Sequence, residues 1–255
     1  MQIHIVTYNI HGLPWCRPRV KQICEWLIAT GPAIICLQEV FTVAARQEFQ
    51  TQLSSAGYTV IIPHDADVCW LPSGLVTAFR TADFALISSC FEPYLNYFHE
   101  ETFANKGFFR LHLWDKQSRR RLHLINTHTQ SDTVVAWLGA RRVAKAIRAK
   151  QAEQILAATE HLADPVLVVG DLNQETPLHG HLRFLQPPSE HPIRKATFFG
   201  TGEDLDHIAW LPLQWAPVGC GFCGIRGPRL SAARVHAIPL SDHAPVEVLV
   251  DIPQR

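Results

Sequence analysis

The sequence predicts an α/β fold. Short apolar runs of strand length recur along the whole chain, segments with helical spacing of apolar residues separate them, and turn residues punctuate the boundaries. The first strand is expected at 3–6. Val20, Ile23, Cys24, Leu27 and Ile28 then recur at helical spacing, and Gly31-Pro32 ends that helix. A buried strand follows at 33–37. Thr42 can cap a second helix that runs through Phe49 and Leu53 and closes at Gly57. Strands are expected at 58–62, 75–79 and 85–90, then a hairpin of 108–114 and 122–126 with Arg119-Arg120-Arg121 as a solvated tip. A long helix covers about 140–161, and its stripe of Arg141, Lys145 and Arg148 reads as solvent-facing. Strands at 166–169 and 246–250 complete the set. Pro187-Pro188 and the prolines from Pro212 to Pro217 mark loops. No composition shift, internal repeat or low-complexity tract divides residues 1–255, so a single domain is expected.

With 255 residues, 47% of them hydrophobic, the chain can bury a full core. Its formal net charge is zero, so no global field draws it to nucleic acid, although a local basic groove could still serve. The first strand begins almost at Met1, with neither a leader pattern before it nor an apolar run of membrane-spanning length. A soluble, cytoplasmic chain is the expectation, and a trimmed native N-terminus would leave secretion open. Among the seven cysteines, Cys24 and Cys36 lie in apolar periodic runs and read as reduced core residues. The Cys220–Cys223 pair is a lone CxxC with no second pair at zinc spacing.

The chemistry gathers where strands meet polar residues. The 3–6 run leads into Thr7-Tyr8-Asn9, 33–37 into Gln38-Glu39, 122–125 into Asn126-Thr127-His128, and 166–169 into Gly170-Asp171-Leu172-Asn173. Ser241-Asp242-His243 stands just ahead of the last strand. Alternation along a strand puts Asn126 and His128 on one face, and likewise Asp171 and Asn173. In open α/β sheets such residues converge at the carboxyl ends of strands. Carboxylates, amides and two imidazoles, without a nucleophilic Ser or Cys in a recognisable setting, point to hydrolysis by activated water beside a hard cation. Taken singly, each position also reads as an ordinary turn or cap residue. The remaining histidines, His11, His112 and His123 among them, have no role suggested by spacing. Trp70, Trp210 and Trp215 read as core or rim aromatics.

Tyr8-Asn9-Ile10-His11-Gly12, Leu37-Gln38-Glu39-Val40, Asn126-Thr127-His128, Gly170-Asp171-Leu172-Asn173, Leu205-Asp206-His207-Ile208 and Ser241-Asp242-His243-Ala244-Pro245 together resemble the ordered signature of the endonuclease/exonuclease/phosphatase superfamily. The resemblance spans nearly the whole chain. It implies a four-layer α/β sandwich, two mixed β-sheets packed face to face with helices outside. It also implies a divalent ion, magnesium with manganese as a possible substitute, held by Glu39 with Asn9 and Asp242 completing or steering the shell. By the same resemblance, His243 is the base that activates water, oriented by Asp206, and His128 is the acid for the leaving oxygen. Asp171 and Asn173 position the water and phosphoryl oxygens, with Asp171 the alternative base.

Within the superfamily the chain resembles the neutral sphingomyelinases, at Ser73-Gly74-Leu75, Asn105-Lys106-Gly107-Phe108, Asn126-Thr127-His128-Thr129-Gln130 with Ser131-Asp132, and from Arg148 to Gln151. It departs at Phe79-Arg80-Thr81, Thr129 and His207. This branch implies a phosphodiesterase acting on a phospholipid head group, Lys106 as a phosphate contact, and Phe222 at the tip of a segment that meets the membrane surface. A nuclease with the same machinery is the first alternative. A catalytically silent interaction module on the same fold is the second.

Overall fold

A computed structural model of the chain describes residues 2–13, 19–64, 70–132, 141–174, 183–184, 206–210, 229–235 and 240–252. Two six-stranded sheets carry the fold. The first has strands β1 (Gln2–Gly12), β2 (Ile34–Val40), β3 (Tyr58–Ile61), β4 (Val76–Arg80), β11 (Arg229–Val235) and β12 (Val246–Asp251), in the order β11-β12-β1-β2-β4-β3. The second has β5 (Phe84–Pro93), β6 (Gly107–Asp115), β7 (Arg120–His128), β8 (Val166–Asp171), β9 (Arg183–Phe184) and β10 (Asp206–Trp210), in the order β5-β6-β7-β8-β10-β9. β1 and β2 are parallel, as are β7 and β8, and the other pairs are antiparallel.

Alternation explains the layers. Ile3, Ile5, Ile34 and Cys36 from the first sheet meet Leu111, Leu122, Leu124, Leu167 and Val169 from the second in one buried cluster. The opposite faces of the strands take helices. Val6, Tyr8, Ile35 and Leu37 pack under α1 (Val20–Thr30) and α2 (Val43–Ser55), while Ile125, Val166 and Val168 pack under α3 (Arg141–Thr159). The order helix, sheet, sheet, helix is the expected four-layer α/β sandwich.

Local signals account for the helices. Val20, Ile23, Cys24 and Leu27 are the buried face of α1, and Gly31 ends it with φ 63° and an N–H to Leu27 O. Thr42 accepts from Ala45 N at the start of α2. One element departs from expectation. Arg148 was read as solvent-facing, yet it is only 4% exposed and donates to Gln130 O and Asp132 Oδ1. It shares α3 with buried Gln151, which accepts from Gln130 N. The helix therefore turns a polar, not apolar, strip toward the loop after β7, a strip that helical spacing alone cannot separate from a solvated face. The hairpin of β6 and β7 pairs as expected, and Asp115 Oδ1 accepts from Gln117 N and Ser118 N to close its tip. Among the described residues, no helix is long and apolar enough to cross a membrane.

Candidate active site

The carboxyl ends of the parallel pairs β1/β2 and β7/β8 face one another across the sandwich, and each brings polar residues. Among the described residues, three of the four non-glycine residues with positive φ lie here: His11 (49°), Glu39 (58°) and Asn173 (50°). Asn accepts this conformation readily, whereas for Glu it is strained and must be held by its surroundings. Close packing does so at Glu39. A Cβ on Gly12 would overlap Glu39 O, and one on Gly74 would lie 3.2 Å from Glu39 Cα. Gly170 is similarly required, because a Cβ there would overlap Thr127 O on the neighbouring strand.

Asn9 joins the two sheets at the site. Its Nδ2 donates to Glu39 Oε1 at 2.9 Å and to Asp171 Oδ2 at 3.0 Å, while its Oδ1 accepts from His11 N at 3.1 Å. Asp171 Oδ2 is also 3.5 Å from His128 Nε2 and 3.7 Å from His243 Nε2, so both imidazoles reach toward one carboxylate oxygen. Asp171 Oδ1 accepts from Asn173 N, and Asn173 Nδ2 donates to Thr129 O. Ser241 anchors the C-terminal motif, donating to Asn9 O and accepting from His243 N. Asn9, Glu39, His128, Asp171, Asn173, Asp242 and His243 thus form one connected cluster with Lys106.

Two members were not legible from spacing. His11 Nδ1 lies 2.9 Å from Asp242 Oδ2 and 3.9 Å from Glu39 Oε2, linking two of the candidate metal ligands. It stands two residues after Asn9, but the bulge there and its own positive φ set its direction. Glu101 is the other. It is 8% exposed and pairs with Lys106 Nζ at 2.6 Å. Lys106 itself is 7% exposed, so it is a buried cation, and its Nζ is 3.2 Å from His128 Nε2 and donates to Thr129 O. His128 Nε2 thus lies between the Lys106 ammonium and the Asp171 carboxylate, while its Nδ1 is buried with no protein partner.

Asn126 has a different task. Its Nδ2 donates to Leu37 O, Val76 O and Thr77 Oγ1, and its Oδ1 accepts from Gln38 Nε2, so it clamps β7 to the opposite sheet. Asp206 heads β10 in antiparallel register with Asp171, which brings its backbone to the site. Phe222, Cys220, Cys223 and Trp215 lie outside the described residues. Trp70 does not belong to the core: it is 89% exposed and packs on Phe103, 52% exposed, at a ring separation of 6.0 Å.

Electrostatics divide the cluster. Burial pushes the Glu39 carboxyl above its usual range, and the Asn9 hydrogen bond with Lys106, His243 and His11 nearby only partly offsets it. A carboxylate so poorly compensated, beside Asp171 and Asp242, suits a hard divalent ion with oxygen ligands. Burial, then Lys106, then His243 hold His128 well below the usual imidazole range. The free protein therefore holds His128 toward its neutral form. Replacing Lys106 by Met together with Glu101 by Gln removes the cation without leaving an orphaned buried carboxylate. The His128 ring is then expected to titrate at higher pH by NMR in chelator; an unmoved titration would show that Lys106 does not hold the ring neutral.

No curated protein sequence matches the chain. Solved structures share its fold at low identity. Sphingomyelinase C from Streptomyces griseocarneus is 19% identical with a TM-score of 0.70, covering 98% of this chain and 99% of that one. Beta toxin from Staphylococcus aureus with bound magnesium ions is 15% identical with a TM-score of 0.71, covering 97% and 99%. D. rerio TDP2 complexed with single strand DNA product is 14% identical with a TM-score of 0.69, covering 98% and 99%. The profile of the Endonuclease/Exonuclease/phosphatase family matches residues 6–243, which takes in every part of the cluster from Asn9 to His243. With that match and this site, the chain belongs to the endonuclease/exonuclease/phosphatase family, whose members are generally metal-dependent hydrolases of phosphoesters.

Proposed function

We propose that the chain is a magnesium-dependent phosphodiesterase that hydrolyses a phospholipid head group. The observation that favours lipid is the apolar rim beside Lys106. Leu71 N donates to Phe103 O and Asn105 N to Leu71 O, which fastens Trp70 and Phe103 to the segment that delivers Lys106. Tyr94 N donates to Lys106 O, so the neighbouring Leu95 (79% exposed) and Tyr97 (53%) belong to the same rim. Exposed apolar residues clustered around a site suit a bilayer surface, where aromatic rings fit between head groups and acyl chains. Formal net charge of zero disfavours the rival, a nuclease, which needs a basic track for the backbone.

The residues present fit the expected ion. Glu39 would hold it, with Asp242 and Asn9 completing or steering its shell; when bound, magnesium supplies Lewis-acid charge neutralisation at the phosphoryl oxygens. His243 takes the proton from the attacking water, and the Asp171 carboxylate beside it stabilises the imidazolium that forms. Asp206, from the head of β10, orients the His243 ring. Asn173 and Lys106 position phosphoryl oxygens. His128 becomes a competent acid for the leaving oxygen once the negative charge of the substrate offsets Lys106 and His243 and raises its proton affinity.

Trp70→Ala tests the lipid reading. It is expected to lower vesicle binding and hydrolysis of sphingomyelin in bilayers by about tenfold, the scale of one buried aromatic contact of 1–2 kcal/mol, and to spare a soluble phosphodiester analogue. Phe222→Ala is expected to act the same way. Equal loss on both substrates would assign Trp70 to the site itself, and loss confined to DNA hydrolysis would favour the nuclease.

A further inference from the structure

A second cluster lies on the opposite face of the second sheet, away from the catalytic one. His112 on β6 and His123 on β7 are direct cross-strand partners, with rings stacked at a centroid separation of 4.1 Å and an interplanar angle of 20°. Asp164, in the connection from α3 to β8, brings Oδ2 to 3.0 Å from His112 Nε2. One donor atom from each of the three residues lies within 4.8 Å of the others. His123 is five residues before His128 on β7, roughly 16 Å along a strand, and the odd parity turns it to the other face.

We propose that His112, His123 and Asp164 form a second divalent-cation site, of the zinc class. The ion pair between His112 and Asp164 leaves His123 unexplained. His123 is only 7% exposed, and its Nδ1 is buried with no hydrogen-bond partner. A buried polar atom left unmade costs about 1–3 kcal/mol, and a structural role as a stacked ring gives it no return.

The donor set selects the ion. Two imidazoles and one carboxylate suit zinc, cobalt or nickel and are a poor match for magnesium, which prefers oxygen. Metal–ligand bonds near 2.0–2.1 Å in a tetrahedron put donors about 3.3 Å apart, so the three donor atoms need to close by about 1.5 Å at most, and one imidazole must also turn out of the 20° stack to bring its in-plane lone pair onto the ion. Two groups oppose a cation here, Arg110 and His161, both of which lower the pKa of His123. Arg110 is engaged elsewhere, however, by Ala158 O at 2.8 Å and Glu92 Oε1 at 3.8 Å. A bound ion would tether the α3–β8 connection to the β6–β7 hairpin and stabilise the fold rather than enter the reaction.

Cobalt(II) titration, followed by its visible ligand-field bands in the presence of saturating magnesium, tests the site. One equivalent is expected to bind and to raise the melting temperature. Glu39→Gln should retain it, while His112→Gln and Asp164→Asn should each weaken it at least about tenfold, the loss caused even by removing an outer partner of a ligand, with magnesium-supported hydrolysis unchanged. The two variants cover each other if one folds poorly. Failure to bind cobalt, binding that survives both substitutions, or binding lost only with Glu39→Gln would overturn the proposal.

Discussion

Asp171→Asn is expected to lower turnover by about two to four orders of magnitude, the range for a positioned proton-transfer group, and to lower the melting temperature as well, because one of the two buried donors that the carboxylate accepts from loses its acceptor. The carboxylate is 1% exposed, and one of its oxygens is shared by Asn9 Nδ2, His128 Nε2 and His243 Nε2. An amide keeps the shape but only one of the two acceptors, so its NH2 meets either Asn9 Nδ2 or Asn173 N, and it removes the negative charge that stabilises an imidazolium beside it. His243→Ala should lose as much. Because the two groups act as a unit, the double variant should fall well short of the product of the single losses. Fully multiplied losses would mean that Asp171 acts independently of His243, as a base in its own right. The same logic tests Asp206: Asp206→Asn added to His243→Ala should cost little more if it works only by orienting that ring.

Glu39→Gln is expected to weaken magnesium binding by at least about a hundredfold, at the upper end of what a perturbed metal site loses. Without metal, the variant should be at least as stable as the native chain. The sign follows from linkage. Burial raises the folded-state pKa of Glu39 above its unfolded value, so the folded state binds more protons between the two values. Stability contributed by protonated Glu39 is present below the unfolded pKa and is lost as pH rises through the folded one. At neutral pH the charged side chain is therefore a liability in the metal-free fold, relieved by the isosteric amide or by the ion. Isothermal titration with magnesium and melting curves in chelator check both halves. Unchanged affinity would remove Glu39 as principal ligand, and a lower metal-free melting temperature would mean that its charge stabilises the fold.

Strand ends were the readable part of this molecule. Asn9, Glu39, His128 and Asp171 each follow a run of core residues. The period of two that buries Ile3 and Ile5, or Leu122 and Leu124, also aims Asn9, His128 and Asp171, whereas Glu39 falls out of the parity of Ile34, Cys36 and Gln38 and is turned in by its positive φ. The four-layer order came from the resemblance, since apolar runs do not say which sheet a strand joins. What stayed hidden depends on loops and on broken alternation. The bulge between Asn9 and Gly12, with positive φ at His11, swings that ring onto Asp242 in a way no strand pattern predicts. Lys106 and Glu101 look like surface charges because nothing local marks their burial as a pair. Arg148 looked solvated for the same reason, its partners Gln130 and Asp132 lying in a loop. Asn126 read as part of the chemistry because it occupies a strand end, yet its four hydrogen bonds cross to the other sheet. Trp70, an aromatic read as core or rim, is exposed and packs on Phe103, so the core half of that reading does not hold.

The most direct measurement is release of head group or nucleotide from a panel of sphingomyelin vesicles, lysophospholipid, phosphoinositide and plasmid DNA, each assayed after chelation and again after magnesium is restored. The expected result is hydrolysis of choline phospholipid that chelation abolishes and magnesium or manganese restores, with DNA and phosphoinositide turned over far more slowly. Cleavage that persists in chelator would contradict the metal-dependent mechanism at Glu39, and magnesium-dependent cleavage of DNA with intact vesicles would contradict the lipid assignment.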